Sequence, residues 1–258
     1  MSDTPLKVAV EAAHAAGRIL KERADRIGKI EYKGEIDPVT EIDLLCEKEV
    51  ISRIQKSFPS HAFLAEESGT TKGDSDHQWI IDPLDGTVNY SHGYPAYCVS
   101  IGYQRMGEVV VGVDYNPCLD ELFVAEKGKG ATLNGKPIAV SAATDLRLSL
   151  LATGFPYDIS ESSDNNLDHF QKFIVSCQAI RRPGSAALDL CYTATGRFDG
   201  YWEMKLHPWD YAAGWLMIEE AGGKVTRFDG SPFQMSDRYI LASNGHIHQA
   251  MVDVLVKR

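Results

Sequence analysis

The N-terminal part of the chain shows two apolar stripes with helical spacing. Thr4-Pro5 is typical of an N-cap followed by proline at the first helical position. Apolar residues then repeat at intervals that suit one face of a helix: Val8, Ala12, Ala15 and Ile19. A second stripe predicts a helix over residues 40–57, which Phe58-Pro59 ends.

Short apolar runs with turn-forming borders follow these helices. They predict strands over residues 62–65, 79–81, 97–103, 109–113 and 122–125. Asn134-Gly135 predicts a hairpin turn. In the second half, strands predicted over 148–153, 179–182, 198–204, 225–228 and 240–242 alternate with helices predicted over 166–176, 185–195, 208–221 and 248–256. This order predicts layered helices and sheets.

The chain shows no linker, low-complexity tract or internal repeat. We therefore expect residues 1–258 to form a single fold with two halves. The first half, about 1–145, contains the candidate site loops, and the second, about 146–258, is the alternating half.

Charge and cysteine usage limit the partners and the compartment. The 258 residues carry 26 basic and 36 acidic side chains, a formal charge of −10, which argues against nucleic acid or an anionic membrane as the main partner. The five cysteines form neither a CxxC pattern nor a visible disulfide framework.

The longest stretch without Asp, Glu, Lys or Arg, residues 86–104, is too rich in Gly, Pro and polar residues for a membrane helix. We expect a soluble cytoplasmic protein.

Two segments of the chain partly match known phosphate-related motifs, but each lacks a required feature. Residues 130–137 resemble a P-loop, but Pro137 stands where the magnesium-binding Ser or Thr is required. Residues 82–87 resemble the Asp-x-Asp-Gly-Thr motif of aspartyl-phosphate phosphatases, but two residues separate Asp82 from Asp85 instead of one. A covalent aspartyl-phosphate mechanism is therefore not supported.

Carboxylates stand at the ends of several predicted elements. Glu66-Glu67 end one strand, Asp82 and Asp85 follow the next, and Asp210 opens a helix. Hard divalent cations such as Mg²⁺ take oxygen ligands of this kind. The plainer interpretation of any single aspartate is a turn former or helix cap. An apolar strand that leads directly into Asp-Pro-Leu-Asp-Gly-Thr makes the metal-site interpretation more specific.

The two residues after this turn add a phosphate site. Gly86 lets the backbone approach a ligand closely, and the amides of Gly86 and Thr87 can bind an anion. Metal ions that bridge a phosphate can activate water and stabilise the leaving oxygen. The residues alone therefore predict a metal–phosphate site.

Four ordered blocks, residues 39–43, 64–68, 79–95 and 209–223, resemble the inositol monophosphatase family, and the resemblance extends over about residues 9–245. It implies a mixed α/β fold, the sugar-phosphatase α/β/α/β/α sandwich, which is usually a homodimer. It also implies a phosphoric monoester hydrolase that uses Mg²⁺, two or three ions per active site, and that Li⁺ inhibits.

The resemblance implies specific metal and catalytic roles. The implied metal ligands are Glu66, Asp82, the Leu84 carbonyl, Asp85 and Asp210. Glu67 is implied to position water or a third ion. Asp43 is implied to pair with Thr87 and to orient the water that attacks phosphorus in a single in-line displacement.

Binding roles follow from the same resemblance. The amides of Gly86 and Thr87 are implied to hold the phosphate. Glu203 is implied to accept hydrogen bonds from substrate hydroxyl groups. The remaining substrate-binding residues implied by the family pattern are Gly184, Ser185, Ala186, Asp85 and Asp210.

The substrate is expected to be a small-molecule phosphate monoester. Residues 88–93, Val-Asn-Tyr-Ser-His-Gly, resemble the type that hydrolyses inositol 1-phosphate. Pro38, in the loop 33–40, is instead common in relatives that act on histidinol phosphate or nucleotide phosphates. Histidinol phosphate, 3′-phosphoadenosine phosphate and fructose bisphosphate remain alternative substrates. A non-catalytic scaffold or regulatory binding partner is the alternative of another class.

Overall fold

The computed structural model describes residues 3–24, 30–32 and 38–257. Within these ranges the helices are α1 (Pro5–Arg23), α2 (Glu41–Ser57), α3 (Thr87–Ser91), α4 (Leu167–Ile174), α5 (Ala186–Ala194), α6 (Pro208–Glu220) and α7 (His248–Val256). The first strands are β1 (Ile30–Tyr32), β2 (Pro38–Thr40), β3 (His61–Ala65), β4 (Gly69–Thr71), β5 (Asp74–Asp85), β6 (Cys98–Arg105), β7 (Glu108–Asn116) and β8 (Glu121–Glu126). The others are β9 (Gly130–Leu133), β10 (Lys136–Pro137), β11 (Leu150–Thr153), β12 (Ala179–Arg181), β13 (Gly200–Met204), β14 (Lys224–Thr226) and β15 (Tyr239–Ser243).

Two mixed sheets organise these strands. The first has eight strands in the order β10-β9-β8-β7-β6-β5-β3-β4, and only its β3–β5 pair is parallel among the described strands. The second has the order β12-β11-β13-β15-β14, in which β11 is parallel to both of its neighbours. A separate antiparallel pair joins β1 to β2.

Helices cover both sheets in alternating layers. α1 and α2 pack on one face of the eight-stranded sheet, and α5 and α6 lie between its other face and the five-stranded sheet. α4 and α7 cover the far side of the second sheet. Three apolar clusters fill the spaces between these layers. The predicted α/β/α/β/α sandwich is confirmed.

Close approach of α6 to the first sheet requires two glycines. A Cβ on Gly112 would lie 2.7 Å from the carbonyl oxygen of Ala213, and one on Gly102 would lie 3.1 Å from the Cβ of Ala212. A larger side chain at either of these two positions would push α6 away from the sheet. The position of the first turn of α6, which carries Asp210, is therefore fixed by β6 and β7.

Most predicted elements are present, with shifted ends. Strand β5 is the largest difference, because it runs over Asp74–Asp85 where the apolar run predicts only 79–81. Its first residues are polar and mostly exposed, but the backbone of Asp74 pairs with His61 of β3, and pairing with β6 begins at His77. The hairpin at Asn134-Gly135 is confirmed, and both residues have positive φ, 50° and 75°.

None of the described helices combines the length and the apolar character needed to cross a bilayer.

Candidate active site

The end of β5 brings two aspartates and a sharp turn into one place. The pairing of β5 with β6 shifts register between Asp82 and Asp85, and the Leu84 amide donates a hydrogen bond to Asp82 Oδ1 at 3.0 Å. Gly86 follows with a φ of 96°, and a Cβ there would lie 2.8 Å from the carbonyl oxygen of Ala96. Only glycine fits this position without strain.

Parallel pairing adds Glu66 to these aspartates. Ala65 at the end of β3 pairs with Ile81 of β5, and the Glu66 amide donates to the Ile81 carbonyl at 3.1 Å. Since parallel strands end at the same edge of a sheet, Glu66 and Asp82 reach the same space.

The first turn of α6 supplies the fourth carboxylate. The His207 amide donates to Asp210 Oδ2 at 2.7 Å, and the Asp210 amide donates back to the His207 carbonyl at 3.1 Å. This local pair holds the Asp210 side chain at the helix N-terminus, where a negative charge is favoured.

A cavity of about 530 Å³ lies among these elements. Eight of the residues named from the sequence line it: Glu66, Asp82, Leu84, Asp85, Gly86, Thr87, Glu203 and Asp210. A neighbouring cavity of about 130 Å³ shares Asp85, Glu203 and Asp210 and is also lined by residues 184–186. Among the described residues, Glu66 therefore lines the larger cavity and not the smaller one, and residues 184–186 line the smaller cavity and not the larger one.

The N-terminus of α5 holds Asp85 from the second cavity. Ser185, the N-cap of α5, donates its hydroxyl to Asp85 Oδ2, and the Ala187 amide donates to the same oxygen at 2.8 Å. Asn89 of α3 donates to the carbonyl of Pro183 at 2.8 Å, which joins the turn after β5 to the same segment. Ser185 thus positions a carboxylate as well as lining the cavity.

Burial, together with like charge at Asp82 and Asp210, raises the pKa values of the carboxylates that line this cavity. Burial raises the pKa of Asp82 well above its usual range, and the charges of Glu66 and Asp85 raise it further. Burial also raises the pKa of Asp210 well above its usual range, with Asp85 and Glu66 adding to the shift. The pKa of Asp85 is raised to about 6 by burial, although the hydrogen bond from Ser185 opposes this. A divalent cation would relieve this repulsion.

The donor set fits a hard cation, since four carboxylates and the Leu84 carbonyl offer oxygen only. Across the described ranges, however, no three His, Cys, Asp or Glu side chains are arranged closely enough to hold an ion as they stand. The carboxylates therefore line the cavity wall without a closed coordination shell.

Thr87 and Asp43 form the predicted pair beside the cavity. Thr87 Oγ1 lies 3.1 Å from Asp43 Oδ1 and 3.0 Å from the Leu84 carbonyl oxygen. Both residues are buried. Because the hydroxyl has one proton, it donates to one of these acceptors at a time and keeps lone pairs that can accept another hydrogen bond.

Glu67 is placed differently from its neighbour. Its side chain is not among those of the described residues that line the 530 Å³ cavity, so its proposed role stays a prediction. Its amide donates to Glu47 Oε2, and the Ser68 amide donates to Glu47 Oε1, both at 2.9 Å. Sequence reasoning missed Glu47. The signal was a second carboxylate four residues after Asp43 on the apolar stripe of α2.

A model of the inositol monophosphatase family matches residues 1–257 of this chain. The chain belongs to the inositol monophosphatase family. The predicted family and its class, phosphoric monoester hydrolase, are confirmed. Enzymes of this family are generally metal-dependent.

Named relatives resemble the chain over nearly its whole length. The inositol-1-monophosphatase of Synechocystis sp. is 46% identical over 254 residues, which cover 98% of this chain and 88% of the relative. The Nus factor SuhB of Escherichia coli K12 is 42% identical over 250 residues, covering 96% and 94%. The solved inositol monophosphatase of Anabaena (Nostoc) sp. PCC 7120 has a TM-score of 0.89 at 47% identity, covering 97% of this chain and 94% of that one.

One substrate-related prediction falls partly outside the described residues. Of the loop 33–40, residues 33–37 lie outside them, and Pro38 begins β2, where its backbone pairs with Tyr32. The preference associated with Pro38 therefore stays a prediction.

Proposed function

We propose that the chain is an Mg²⁺-dependent phosphomonoesterase that hydrolyses inositol 1-phosphate to inositol and phosphate. The observation that carries this proposal is the gathering of four carboxylates and the Gly86-Thr87 turn around one cavity of about 530 Å³. Membership of the family and the name of the Synechocystis relative support the choice of substrate.

The chain's own residues have separable tasks in this proposal. Glu66, Asp82, Asp85, Asp210 and the Leu84 carbonyl would hold the metal, as two or three Mg²⁺ ions. Bound Mg²⁺ neutralises phosphate charge and lowers the pKa of water.

Thr87 orients the attacking water. With its proton donated to Asp43, its hydroxyl oxygen can accept a hydrogen bond from that water. The amides of Gly86 and Thr87 bind the phosphate, and their rigid placement after the turn keeps phosphorus in line with the water. Glu67 is proposed to position water or a third ion from the edge of the site.

Substrate hydroxyl groups lie on the other side of the site in this proposal. Glu203 lines both cavities, and residues 184–186 form the wall of the smaller one. Burial raises the pKa of Glu203 to about 7, and the hydrogen bond from Tyr201 opposes that shift. A carboxyl group in this position can accept hydrogen bonds from a polyol ring.

Phosphate release tests the proposal. The substrates are inositol 1-phosphate, histidinol phosphate, 3′-phosphoadenosine 5′-phosphate and fructose 1,6-bisphosphate, each with Mg²⁺, with EDTA and with Li⁺. We expect inositol 1-phosphate to be preferred, with turnover lost in EDTA and lowered by Li⁺. Preference for another substrate would move the specificity and keep the site.

A matched pair of variants tests the site itself. Asp85→Asn should remove activity without unfolding the chain. Asp76→Asn makes the same charge change at an exposed position of the same strand and should keep wild-type turnover. Near-normal turnover by Asp85→Asn would overturn the metal assignment.

A binding role is a second candidate function. The E. coli relative, 42% identical to this chain, carries the name Nus factor SuhB. That name supports a regulatory binding partner as the alternative to catalysis. No turnover of any of the four substrates by folded, Mg²⁺-loaded protein would favour this role over catalysis.

We further propose a cytoplasmic homodimer whose protomer is a single fold. All five cysteines are free thiols, as expected in a reducing compartment. Light scattering should give twice the protomer mass of 28.5 kDa. A mass of 28.5 kDa would contradict the dimer.

A further inference from the structure

Among the described residues, one hydrogen bond holds the Glu203 carboxylate. Within the part of the chain that the structure describes, its only hydrogen-bond donor is the hydroxyl of Tyr201, 2.5 Å from Oε2. Tyr201 is completely buried and lies two residues earlier on β13, so both side chains point to the same face of the sheet. No described Lys, Arg or His pairs with Glu203 at salt-bridge distance.

Gly154 leaves the space that the Glu203 carboxylate occupies. Thr153, the last residue of β11, pairs with Trp202 of β13, which places Gly154 beside Glu203. A Cβ added to Gly154 would overlap both oxygens of the Glu203 carboxylate. Because the φ of Gly154 is not positive, the requirement for glycine at this position is space and not backbone conformation.

Among the described residues, Arg182 acts on Glu203 as an opposite charge and lines the same smaller cavity, but it forms no salt bridge with it. Asp189 of α5 is 1% exposed and acts on Glu203 and Tyr201 as a like charge. Its Oδ1 has no hydrogen-bond partner among the described residues. The orientation of Glu203 therefore depends on the Tyr201 hydroxyl and on the space above Gly154.

We propose that Tyr201 is a positioning residue which, together with the space left by Gly154, aims the Glu203 carboxylate at substrate hydroxyl groups. This inference rests on the proposed function, because it assigns selectivity for polyol phosphates to the same site. The bond from Tyr201 uses one lone pair of Oε2, and an ionised carboxylate has about four in total. The free lone pairs can accept hydroxyl protons from a ligand in either cavity.

Tyr201→Phe is the direct test, with two probes. The KM for inositol 1-phosphate should rise about tenfold, the effect of losing about one hydrogen bond to a charged group. The inhibition constant of inorganic phosphate, which has no ring hydroxyl groups, should change less than twofold. Tyr115→Phe is the matched control, because it removes a hydroxyl that donates to Asp120 at 2.6 Å, away from both cavities.

Gly154→Ala provides an independent perturbation. The added methyl group should displace the carboxylate and raise the KM for inositol 1-phosphate by tenfold or more, again with little change in phosphate inhibition. Thermal unfolding of each variant shows whether the fold is retained. If Tyr201→Phe does not fold, the KM and the phosphate inhibition constant of Gly154→Ala decide whether the position of the Glu203 carboxylate controls binding of the polyol.

Three outcomes separate the possibilities. A selective rise in KM for the polyol ester supports the positioning role. Equal losses for inositol 1-phosphate and phosphate, or no change in either, would overturn it. If the wild-type protein hydrolyses no polyol phosphate, the proposed function fails before any variant is compared.

Discussion

Asp114 gives a stability prediction with a defined pH dependence. It lies on β7 with no exposed surface, and Cys191 Sγ lies 3.2 Å from its Oδ2. Its Oδ1 has no hydrogen-bond partner among the described residues. Burial raises the pKa of Asp114 to about 7, although hydrogen bonds from Ser100 and Cys191 oppose the shift.

The sign of the effect follows from proton linkage. The pKa in the folded protein, about 7, lies above the value of about 3.9 in the unfolded chain. Between these values the folded state binds a proton that the unfolded state has lost. Stability from this group is therefore complete below about pH 4 and is lost as the pH rises to 7. The slope is about −1.4 kcal/mol per pH unit.

Asp114→Asn removes this dependence, because the amide does not ionise. Between pH 5 and pH 8 the wild-type protein should lose about 3 kcal/mol more than the variant, which is about two pH units at that slope. At pH 5 the variant should be the less stable protein, since the buried amide leaves a donor without a partner, a cost of about 1–3 kcal/mol. At pH 8 the difference should vanish or change sign.

Urea unfolding at several pH values in EDTA measures this difference without a contribution from bound metal. Asp76→Asn is the control, because its carboxylate is exposed on β5. Its free energy of unfolding should stay parallel to that of the wild-type protein. A difference between Asp114→Asn and wild type that stays constant from pH 5 to pH 8 would refute the reasoning.

Three further substitutions test how the site is built. Glu47→Gln should raise several-fold the Mg²⁺ concentration that gives half-maximal phosphate release, because the amides of Glu67 and Ser68 lose a charged acceptor. Lys48→Gln, a change at an exposed position of the same helix, should leave that concentration unchanged. Gly86→Ala should lower the free energy of unfolding by about 1–3 kcal/mol in urea, because of its positive φ, and should abolish turnover; wild-type stability would contradict this. Thr87→Val should lower kcat with little change in KM, and Thr87→Ser should restore it; equal kcat values in the two variants would count against a role for the hydroxyl.

The carboxylate cluster could be predicted from the sequence because its signals are local. An apolar strand runs directly into Asp82, and Glu66 ends the preceding apolar run. Parallel pairing of β3 and β5 then needs only the general rule that the ends of such strands meet. Asp210 beside Pro208 is likewise visible as the first turn of a helix.

Residues that position the site were not predictable in this way. Glu47 and Tyr201 act through partners that are 20 and 2 residues away, and neither partner is indicated by hydrophobic periodicity. The buried tyrosine looks like any aromatic core residue of a strand. The polar start of β5, residues 74–78, forms a strand because the backbones of β3 and β6 pair with it, at Asp74 and Gln78 and at His77 and Gln78 respectively, which side-chain patterning does not show.

The central helix layer explains why the carboxylates stay in place although they repel one another. α5 and α6 lie together between the sheets, and the N-terminus of each reaches a site carboxylate. The α5 terminus donates two hydrogen bonds to Asp85, and the α6 terminus donates one to Asp210. These donors and the positive ends of the helices favour the ionised forms. Burial still outweighs these donors, because the pKa values of both residues remain raised, and the charges of Asp85 and Glu66 add to the shift of Asp210. The fold therefore holds Asp85 and Asp210, two of the proposed metal ligands, at the cavity, and the binding of a divalent cation should lower these pKa values and add to the stability of the protein.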